Sequence, residues 1–543
     1  MTYHAYDDVH LYMDEVKSHL VAKTGIPSDR HHLGKLILQS LKDDPEFVMQ
    51  IDGSTGQSET NGSVLDRSVR CAIALTNMGL KRGDVMVLMG PNHLDYCIPH
   101  NAGLYMGIMV ASIDSTLGVN ELKHVFHTNE PKIIFCQRER AADVEQALKL
   151  AQKEAKIATF NEGGHHTTLA QLLQDIDDKE VKDFQPEDFD PEDTVAYLTS
   201  TSGTTGTPKA AMLTHKNLVI AMSYVWLGFS KFPKPTKLAI IMSPAQWLSA
   251  GIHYLFSSIV KYTRLQTSAP YTRDHLVELI NKYKPTFVIS SPNLMTTLMT
   301  AGDQCDFTCL EVVFLGGSAV PQDLVDQVKK LTKTECAFPV YGMSELGGPA
   351  SNYSSLLPPG SYGRPIGCLE CKLVNSETKA DITEPNVPGE LWLRGPVVFK
   401  GYYNDPKVTT ETLTEDGWLK SGDILYRDNA WNLFFVDRYK SLLKYRNHHV
   451  APVEIETVIA KHPGVLHVAV TGIPDKECGD LVVACVVPRP GCNPTAEEIK
   501  ELVKESLTDT KQLRGGVIFM KDLPLTSTAK INRQKLKERV LAM

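Results

Sequence analysis

Apolar positions along the chain follow two different spacings, and each spacing predicts its own kind of element. In "AADVEQALKLAQKEAKI", residues 141–157, apolar residues recur at the period of one helix face. Short runs rich in β-branched and apolar residues separate such helical stretches, among them "VMVLMG", "KIIFC", "FVIS" and "EVVFLGG". Helices that alternate with short apolar strands are typical of parallel sheets covered by helices. The pattern therefore predicts α/β layers with largely parallel strands.

Two acidic, proline-bearing stretches interrupt this pattern. Asp175–Asp193 reads as an exposed connector, and Ser376–Glu390 precedes "GELWLRG", where apolar and polar residues alternate as in antiparallel strands. A β-rich region follows, and the last hundred or so residues return to an α+β pattern. We therefore expect a large N-terminal domain of α/β layers with a small β-barrel-like subdomain, then a small α+β C-terminal domain. Subdomain breaks are expected near 190 and 355.

Composition and charge place the chain among globular proteins. Its 543 residues suffice for more than one domain, and 42% of them are apolar. The net charge of -8 and the lack of a basic stripe argue against nucleic acid as a partner. Eleven scattered cysteines fit reduced thiols better than a disulfide framework. Nothing in the sequence implies an obligate protein partner.

Targeting signals are not visible in the sequence. The N-terminus lacks a basic stretch followed by an apolar one, and the chain ends in "KERVLAM" rather than in an SKL-type address, so a cytoplasmic location is expected. Residues 238–260 carry no formal charge, which raises the alternative of a membrane span. Because the stretch contains Pro244 and several polar residues, we interpret it as a buried strand, a turn and a core helix, with no transmembrane segment.

The stretch "YLTSTSGTTGTPKAAMLTHKNL", Tyr197–Leu218, is rich in glycine and small hydroxyl residues. It follows an expected strand, Thr194–Leu198, and precedes a helix expected to begin near Thr214. Backbone amides of such a loop, rotatable hydroxyls and the single cation Lys209 suit a polyphosphate. The loop is not a Walker A motif, since Thr-Pro-Lys follows its second glycine. A surface turn without a ligand is the alternative.

This loop and six later segments resemble, in order and spacing, the acyl-adenylate-forming superfamily. That superfamily includes acyl-CoA synthetases, 4-coumarate:CoA ligases and beetle luciferases. The motif sequences are most similar to those of insect luciferase-like acyl-CoA synthetases. The segments are "TSTSGTTGTPK", "FLGGSAVP", "YGMSE", "PGELWLRG", "GYYNDPKVTTETLTEDGWLKSGDI", "VDRYKSLLKYRNHHVAPVEIE" and "PLTSTAKINRQKL".

The resemblance implies a two-step ligase reaction. A carboxylate would attack the α-phosphate of ATP with Mg²⁺ to give acyl-AMP and pyrophosphate, and coenzyme A would then displace AMP. The expected acid is hydrophobic, such as a medium- or long-chain fatty acid. One alternative is a luciferase-type monooxygenase that oxidises the adenylate with light emission. Another is a catalytically silent nucleotide-binding protein. The family also includes peroxisomal members, although the chain end lacks their usual address.

Roles for individual residues follow from the resemblance as well. Lys530 is the expected adenylation catalyst, Lys444 occupies the position of a lysine used in the second step, and Glu345 is the expected Mg²⁺ ligand. Asp423 is expected to bind the ribose with Arg438 nearby, while Tyr341 stacks on the adenine. The full set expected at the nucleotide comprises Thr201, Ser202, Gly203, Thr204, Thr205, Gly206, Lys209, Gly316, Gly317, Ser318, Tyr341, Gly342, Ser344, Asp423 and Arg438.

Domain motion is a further implication of the resemblance. It implies an N-terminal domain over 1–437, a hinge over 438–440 with Lys440 as its pivot, and a mobile catalytic domain over 441–543. Rotation would bring Lys530 to the nucleotide for adenylation and withdraw it so that the thiol can approach.

Several positions depart from the family pattern. Asn447 replaces a glycine that lines the approach of coenzyme A, which makes the second step less secure than the first. In the expected acyl pocket, "SPAQWLSAG" presents Gln246 and Trp247, and Trp247 either gates the acyl tunnel or fills core volume. Gly348, in "ELGGPA", opens the opposite wall to a long or bulky apolar group.

Metal or redox chemistry outside this site has little support in the sequence. Cys368 and Cys371 form a CxxC without a second ligand pair, so buried thiols are expected. The histidine doublets His31-His32, His165-His166 and His448-His449 show no carboxylate partners at metal-ligand spacing, and they are interpreted as solvated or capping residues.

Overall fold

A computed structural model describes residues 31–201, 209–221, 224, 237–352, 357–446, 448–475, 477–526 and 530–543. Within these ranges, no helix is both long enough and apolar enough to cross a membrane. The uncharged stretch 238–260 forms a strand, a turn and a helix whose inner face is buried, as the sequence predicted.

Fifteen α-helices lie entirely within the described residues. They are α1 (Leu33–Asp43), α2 (Asn61–Asn77), α3 (Cys97–Met106), α4 (Val119–Asn129), α5 (Arg138–Ala151), α6 (Leu169–Gln174), α7 (Asp178–Asp183), α8 (Leu248–Val260), α9 (Arg273–Tyr283), α10 (Pro292–Met299), α11 (Gln322–Thr332), α12 (Pro406–Thr412), α13 (Pro452–Ile459), α14 (Ala496–Ser506) and α15 (Arg533–Leu541). Residues 215–221 are also helical.

The strands run from the N-terminal half to the end of the chain. They are β1 (Val48–Asp52), β2 (Ser58–Thr60), β3 (Val85–Met89), β4 (Met109–Ser112), β5 (Ile133–Cys136), β6 (Lys156–Thr159), β7 (Thr167–Thr168), β8 (Val195–Thr201), β9 (Lys209–Thr214), β10 (Leu238–Ile241), β11 (Thr263–Gln266), β12 (Phe287–Ser290), β13 (Val312–Gly316), β14 (Ala337–Val340), β15 (Gly342–Met343), β16 (Gly348–Pro349), β17 (Ser351–Asn352), β18 (Arg364–Pro365), β19 (Glu370–Val374), β20 (Asp381–Ile382), β21 (Gly389–Arg394), β22 (Leu419–Arg427), β23 (Leu433–Arg438), β24 (Leu443–Tyr445), β25 (His448–Val450), β26 (Val465–Asp475), β27 (Gly479–Pro488) and β28 (Gly516–Phe519).

Two seven-stranded sheets form the large N-terminal domain. Their orders are β7-β6-β5-β3-β4-β8-β9 and β14-β13-β12-β10-β11-β1-β2. All neighbours pair in parallel except the β8/β9 and β1/β2 pairs, which are antiparallel. All five residues of β3 are buried, as expected for a strand covered on both faces by helices. The α/β prediction with largely parallel strands is confirmed.

An antiparallel sheet follows, with the order β20-β19-β21-β22-β23. It corresponds to the subdomain that the sequence predicted to be barrel-like. Its end strands β20 and β23 do not pair with each other among the described residues, so the sheet is open rather than closed. Strand β22 contributes Asp423 and β23 contributes Arg438, and these two residues are register partners.

The small C-terminal domain is α+β, as the sequence predicted. Strands β25-β24-β27-β26 form an antiparallel sheet, and β28 adds to β27 in parallel. Helix α14 begins with a capping box in which Thr495 and Glu498 each accept from the other's backbone amide. The domain touches the larger one through Thr297 of α10, whose Oγ1 lies 3.4 Å from Nε2 of His467 in β26.

The glycine-rich loop differs from its prediction in what it connects. We expected it to join a strand directly to a helix, but it joins β8 to β9, which pair as a hairpin with Thr201 opposite Lys209. The helix begins only after β9, and Thr214 caps it by accepting from the amide of Asn217 at 3.1 Å. Because a strand intervenes, the helix N-terminus does not supply the amides of the loop. Residues 202–208 lie outside the described ranges.

Candidate functional site

Asp423 lies at the centre of a polar cluster where the antiparallel sheet meets the N-terminal domain. Asp423 is 3% exposed, and the hydroxyl of Tyr341 donates to its Oδ2 at 2.8 Å. Arg438 Nε lies 3.1 Å from its Oδ1. The charge of Asp423 raises the pKa of the Arg438 guanidinium. Burial raises the pKa of Tyr341 above its ordinary value, and Asp423 adds to that effect. Tyr341 therefore stays a neutral donor and Arg438 a cation.

Oδ1 of Asp423 is poised to accept from a ligand. It is buried and makes no hydrogen bond of suitable geometry with any described residue, although Arg438 Nε is close. A buried carboxylate oxygen without a donor is costly. A hydroxyl group of a bound molecule would satisfy it, so Asp423 fits a polyhydroxyl ligand such as a ribose.

The turn after β13 presents backbone instead of side chains. A Cβ on Gly316 would lie 2.7 Å from Cγ2 of Val340, so only glycine fits there. Gly317 has φ +87°, a conformation that favours glycine, and Ser318 beside it is exposed. Gly317 and Ser318 thus form a flat, accessible wall that a planar ring can approach closely.

Lys530 of the C-terminal domain reaches this wall. Its Cε lies 3.9 Å from the position that a Cβ on Gly317 would occupy. Its segment is held by a pair of hydrogen bonds with Thr526, whose amide donates to the carbonyl of Lys530 at 2.7 Å and whose hydroxyl accepts from the Lys530 amide at 3.2 Å. The sequence separates Lys530 from Asp423 by more than a hundred residues, yet both lie at one site.

Burial lowers the pKa of the Lys530 ammonium from 10.5 to about 8. The charge of Arg438 acts in the same direction, whereas Asp423 and Glu345 oppose it. These four charged groups therefore share one electrostatic environment. An anionic ligand would stabilise the charged form of a lysine in such a partly desolvated site.

Glu345 lies on the other side of the cluster and is held by Tyr402. The hydroxyl of Tyr402 donates to Oε1 of Glu345 at 2.8 Å, and Lys209 Nζ lies 5.2 Å from the centroid of the Tyr402 ring. The backbone of 401–403 lies against β9, with the amide of Tyr403 donating to the carbonyl of Ala210 at 2.8 Å. Tyr402 thus links the carboxylate to the cation at the end of the loop.

Tyr402 was missed by the sequence analysis. Its segment, "GYYNDPK", was recognised, but no role was given to either tyrosine. The position of this aromatic residue directly after the glycine of the segment is the sequence feature that could have indicated a role for it.

The hairpin of β15 and β16 sets the position of Ser344 and Glu345. A Cβ on Gly342 would lie 2.6 Å from the carbonyl oxygen of Gly348, so the two strands approach as closely as glycine allows. Ser344 and Glu345 follow in a short 3₁₀ turn that Gly347 ends with φ +63°. Gly348 is buried, and its missing Cβ would lie 3.5 Å from Cβ of Ala221.

Some of the expected site residues are not among those that the structure describes. Ser202, Gly203, Thr204, Thr205 and Gly206 lie outside the described residues, as does Asn447, so their roles stay predictions. Gln246 and Trp247 are half-buried at the start of α8, where the carbonyl of Trp247 accepts from the amide of Gly251 at 2.8 Å.

Lys440 and Lys444 are both exposed. Lys440 lies in the short turn Tyr439–Ser441 after β23. Lys444 lies on β24, and its amide donates to Oδ2 of Asp480 at 3.1 Å within the C-terminal domain. Lys530, in contrast, is near enough to Asp423 and Glu345 for their charges to oppose the lowering of its pKa by burial.

The other expectations for cysteine and histidine have mixed outcomes. Neither Cys368 nor Cys371 forms a disulfide bond; Cys371 is fully buried in β19, as expected, whereas Cys368 is only half-buried. The expectation that His165 and His166 lack a carboxylate partner is wrong, because Glu145 of α5 lies against both.

Comparison with known proteins gives the class of the chain. The family model described as AMP-binding enzyme matches residues 38–403, and the model described as AMP-binding enzyme C-terminal domain matches 454–530. The first match covers more than half of the chain. The protein therefore belongs to the AMP-binding enzyme family, the acyl-adenylate-forming superfamily that the motifs indicated.

The relatives compared below carry the names of two different enzyme activities. The chain is 31% identical to luciferin 4-monooxygenase of Photuris pensylvanica, over 87% of this chain and 88% of that one. It is 27% identical to 4-coumarate--CoA ligase-like 3 of Arabidopsis thaliana, over 90% and 89%. Among solved structures, ATP-bound MatB from Rhodopseudomonas palustris superposes with a TM-score of 0.83 at 22% identity, over 94% and 99%. Because the match covers nearly the whole of both chains, the shared fold includes both domains.

Replacing the central carboxylate tests the nucleotide side of the site. We predict that Asp423→Asn weakens AMP binding by about 10- to 100-fold, because a hydrogen bond to a charged group is lost from a buried position. Isothermal titration calorimetry with AMP measures the change. Asp381→Asn is the matched control, since Asp381 is an exposed residue of the same sheet. Equal affinities of Asp423→Asn and the unmodified protein would contradict the assignment.

Proposed function

We propose that the protein is an acyl-CoA ligase that adenylates a hydrophobic carboxylic acid, such as a medium- or long-chain fatty acid, with ATP. A carboxylate oxygen attacks the α-phosphorus, pyrophosphate leaves, and acyl-AMP forms. The sulfur of coenzyme A then attacks the acyl carbon, which gives the thioester and releases AMP. The observation that carries the proposal is the position of the Lys530 ammonium against Gly317, in the electrostatic field of Asp423 and Glu345.

Lys530 answers the main electrostatic problem of the first step. The attacking carboxylate and the phosphate are both anions, so their approach needs a cation between them. A preorganised ammonium group stabilises the transition state, where the negative charge is most concentrated, more than it stabilises the separated reactants. Its partial burial strengthens the interaction because little water competes.

The remaining residues of the cluster suit the parts of the nucleotide. Asp423 would accept from the ribose hydroxyls, with Arg438 holding its carboxylate in place. Gly316, Gly317 and Ser318 offer the adenine a wall of backbone, and Tyr341 lies beside it. Ser344 offers a hydroxyl for the α-phosphate, while Lys209 offers a cation for the other phosphates.

Glu345 is the residue that we propose to hold Mg²⁺. Its carboxylate is a hard oxygen ligand, and Tyr402 orients it with a hydrogen bond of 2.8 Å. The ion would supply positive charge to the phosphates and so favour the departure of pyrophosphate.

The acid is proposed to bind between the start of α8 and the glycine-rich turn after Glu345. The turn is lined by apolar side chains, since Leu213 and Leu218 pack against Gly347 and Ala221 against Gly348, and Gln246 and Trp247 contribute half-buried side chains at the start of α8. An apolar lining favours a long apolar acyl group over a small polar acid.

The second step is proposed to require rotation of the C-terminal domain. We expect Lys530 to obstruct the approach of the thiol while it lies at the nucleotide, so the domain over 441–543 would turn about residues 438–440, with Lys440 as the pivot and Lys444 entering instead. Asp437 is suited to guide this hinge because it bonds both to the first hinge residue and to the domain beyond the hinge. Its Oδ1 accepts from the amide of Arg438 at 2.7 Å, and its Oδ2 accepts from the amide of Val453 at 3.0 Å.

A luciferase-type monooxygenase is the second candidate. It is favoured by the 31% identity to luciferin 4-monooxygenase of Photuris pensylvanica, which exceeds the 27% identity to the coumarate ligase-like protein. Both activities share the adenylation step, so the residues discussed above serve either one. They differ in whether coenzyme A or O₂ reacts with the adenylate.

A screen with three readouts separates these candidates. We predict pyrophosphate release with ATP, Mg²⁺ and medium- or long-chain fatty acids, acyl-CoA formation when coenzyme A is added, and no light with beetle luciferin. Coupled pyrophosphate detection, chromatography of the thioester and luminometry measure the three outcomes. Light without thioester would favour the monooxygenase. No pyrophosphate with any fatty or aromatic acid would contradict adenylation and favour a silent nucleotide-binding protein.

The pKa of Lys530 gives a pH dependence with a definite sign. The group acts as a cation, and its pKa in the free protein is lowered to about 8, so kcat/KM for adenylation falls as pH rises through that value. Lys530→Arg keeps a positive charge throughout this range, so its lower activity lacks the fall above pH 8. Initial rates of pyrophosphate release between pH 6 and 10 measure the profile.

Lys521→Arg, at an exposed position in the same domain, is the control and should keep the falling limb. Persistence of the limb in Lys530→Arg would assign it to another group and refute the role of Lys530 as the titrating cation.

A further inference from the structure

Glu145, His165 and His166 form a cluster far from the nucleotide residues. Glu145 lies on α5, and the two histidines directly precede β7. The Nε2 atoms of His165 and His166 lie 2.9 Å and 3.0 Å from the same oxygen of Glu145. All three donor atoms lie within 4.8 Å of one another. We propose that this cluster is a binding site for a divalent first-row transition-metal cation, such as Zn²⁺.

The donor atoms are of the kind that such ions prefer. Imidazole nitrogen and carboxylate oxygen suit Zn²⁺, Cu²⁺ and Ni²⁺, and they bind Mg²⁺ or Ca²⁺ poorly when nitrogen dominates. In tetrahedral coordination with bonds near 2.0 Å, neighbouring donors stand about 3.3 Å apart. The two nitrogen-oxygen distances in the cluster are slightly shorter, and both end on Oε1 of Glu145, so a small outward movement of that partly exposed carboxylate admits an ion.

His166 supplies the independent sign that a ligand is missing. Its Nε2 is shielded from solvent and makes no hydrogen bond of suitable geometry, despite its nearness to Glu145. A buried nitrogen without a partner is costly, and a metal ion would satisfy it. His165, by contrast, is 77% exposed and already meets the carboxylate at hydrogen-bonding distance.

The backbone holds the histidine pair in place without the ion. Gly163 and Gly164 have φ values of +100° and +90°, which favour glycine and turn the chain back toward α5. An open surface depression of about 440 Å³ lies beside the cluster and is lined by both Glu145 and His166. It gives water or another small ligand access to the position that three protein ligands leave open.

The site is separate from the proposed catalysis. Strand β7 is one edge of its seven-stranded sheet, and β9, which carries Lys209, is the opposite edge. Binding of an ion would tie the segment before β7 to α5. Its loss should therefore leave pyrophosphate release unchanged, which keeps a failure of this proposal distinguishable from a failure of the proposed function.

Metal titration of the untagged full-length protein tests the proposal. After chelator treatment and dialysis, calorimetry with Zn²⁺ should show a site that His165→Ala/His166→Ala loses and Glu145→Gln weakens by at least about tenfold. His124→Ala removes an exposed histidine of α4 and is the matched control, which should bind as the unmodified protein does. Circular dichroism verifies folding. His165→Ala alone carries the test if the double variant misfolds, because that side chain is mostly exposed.

Electron paramagnetic resonance of the Cu²⁺-loaded protein identifies the ligands. We expect hyperfine coupling from two imidazole nitrogens in the unmodified protein and from one in His165→Ala. Zn²⁺ affinity that is the same in the double variant and in the unmodified protein, or no binding by the unmodified protein, would overturn the proposal.

Discussion

The repulsion between a carboxylate and a polyphosphate is the constraint on which the account rests. Two anions approach each other only if a cation lies between them, and a cation that stays there obstructs the thiol that must follow. In the proposed mechanism that cation is Lys530, which belongs to a different domain from Asp423, Tyr341 and Glu345. The closeness of Lys530 to Gly317 shows that the small domain reaches the large one in at least this arrangement. A charge on a movable domain is a physical way to meet both requirements in turn.

The large-scale architecture was readable from the sequence because it depends on local periodicity. Buried parallel strands such as β3 are apolar throughout, and amphipathic helices such as α5 show their period within a few turns. The cap at Thr214 was also predictable, because it involves only a residue three positions away. The loop connection was not, since the run that forms β9 is too short to distinguish from a loop until its pairing with β8 is known.

The site could be recognised from motifs, but its contacts could not be derived from them. The pairing of Asp423 with Arg438 depends on the register of β22 and β23, and the bond from Tyr402 to Glu345 depends on backbone pairing of 401–403 with β9. The carboxylate of Glu145 lies about twenty residues before the histidine pair, a spacing that no metal motif marks. Whether the antiparallel sheet is open or closed likewise depends on how its strands pair in the tertiary structure. Such contacts join distant segments, so local patterns contain no record of them.

Locking the two domains together tests whether Lys530 must leave the nucleotide before coenzyme A can react. Thr297→Cys and His467→Cys place thiols at a contact between the domains, and a short bis-thiol-reactive reagent would join them, with each single variant as control for the native cysteines. The account predicts that the cross-linked protein still forms acyl-AMP with a single burst of pyrophosphate but no longer produces acyl-CoA in repeated turnovers. Loss of the burst on cross-linking, or unimpaired thioester turnover, would contradict it.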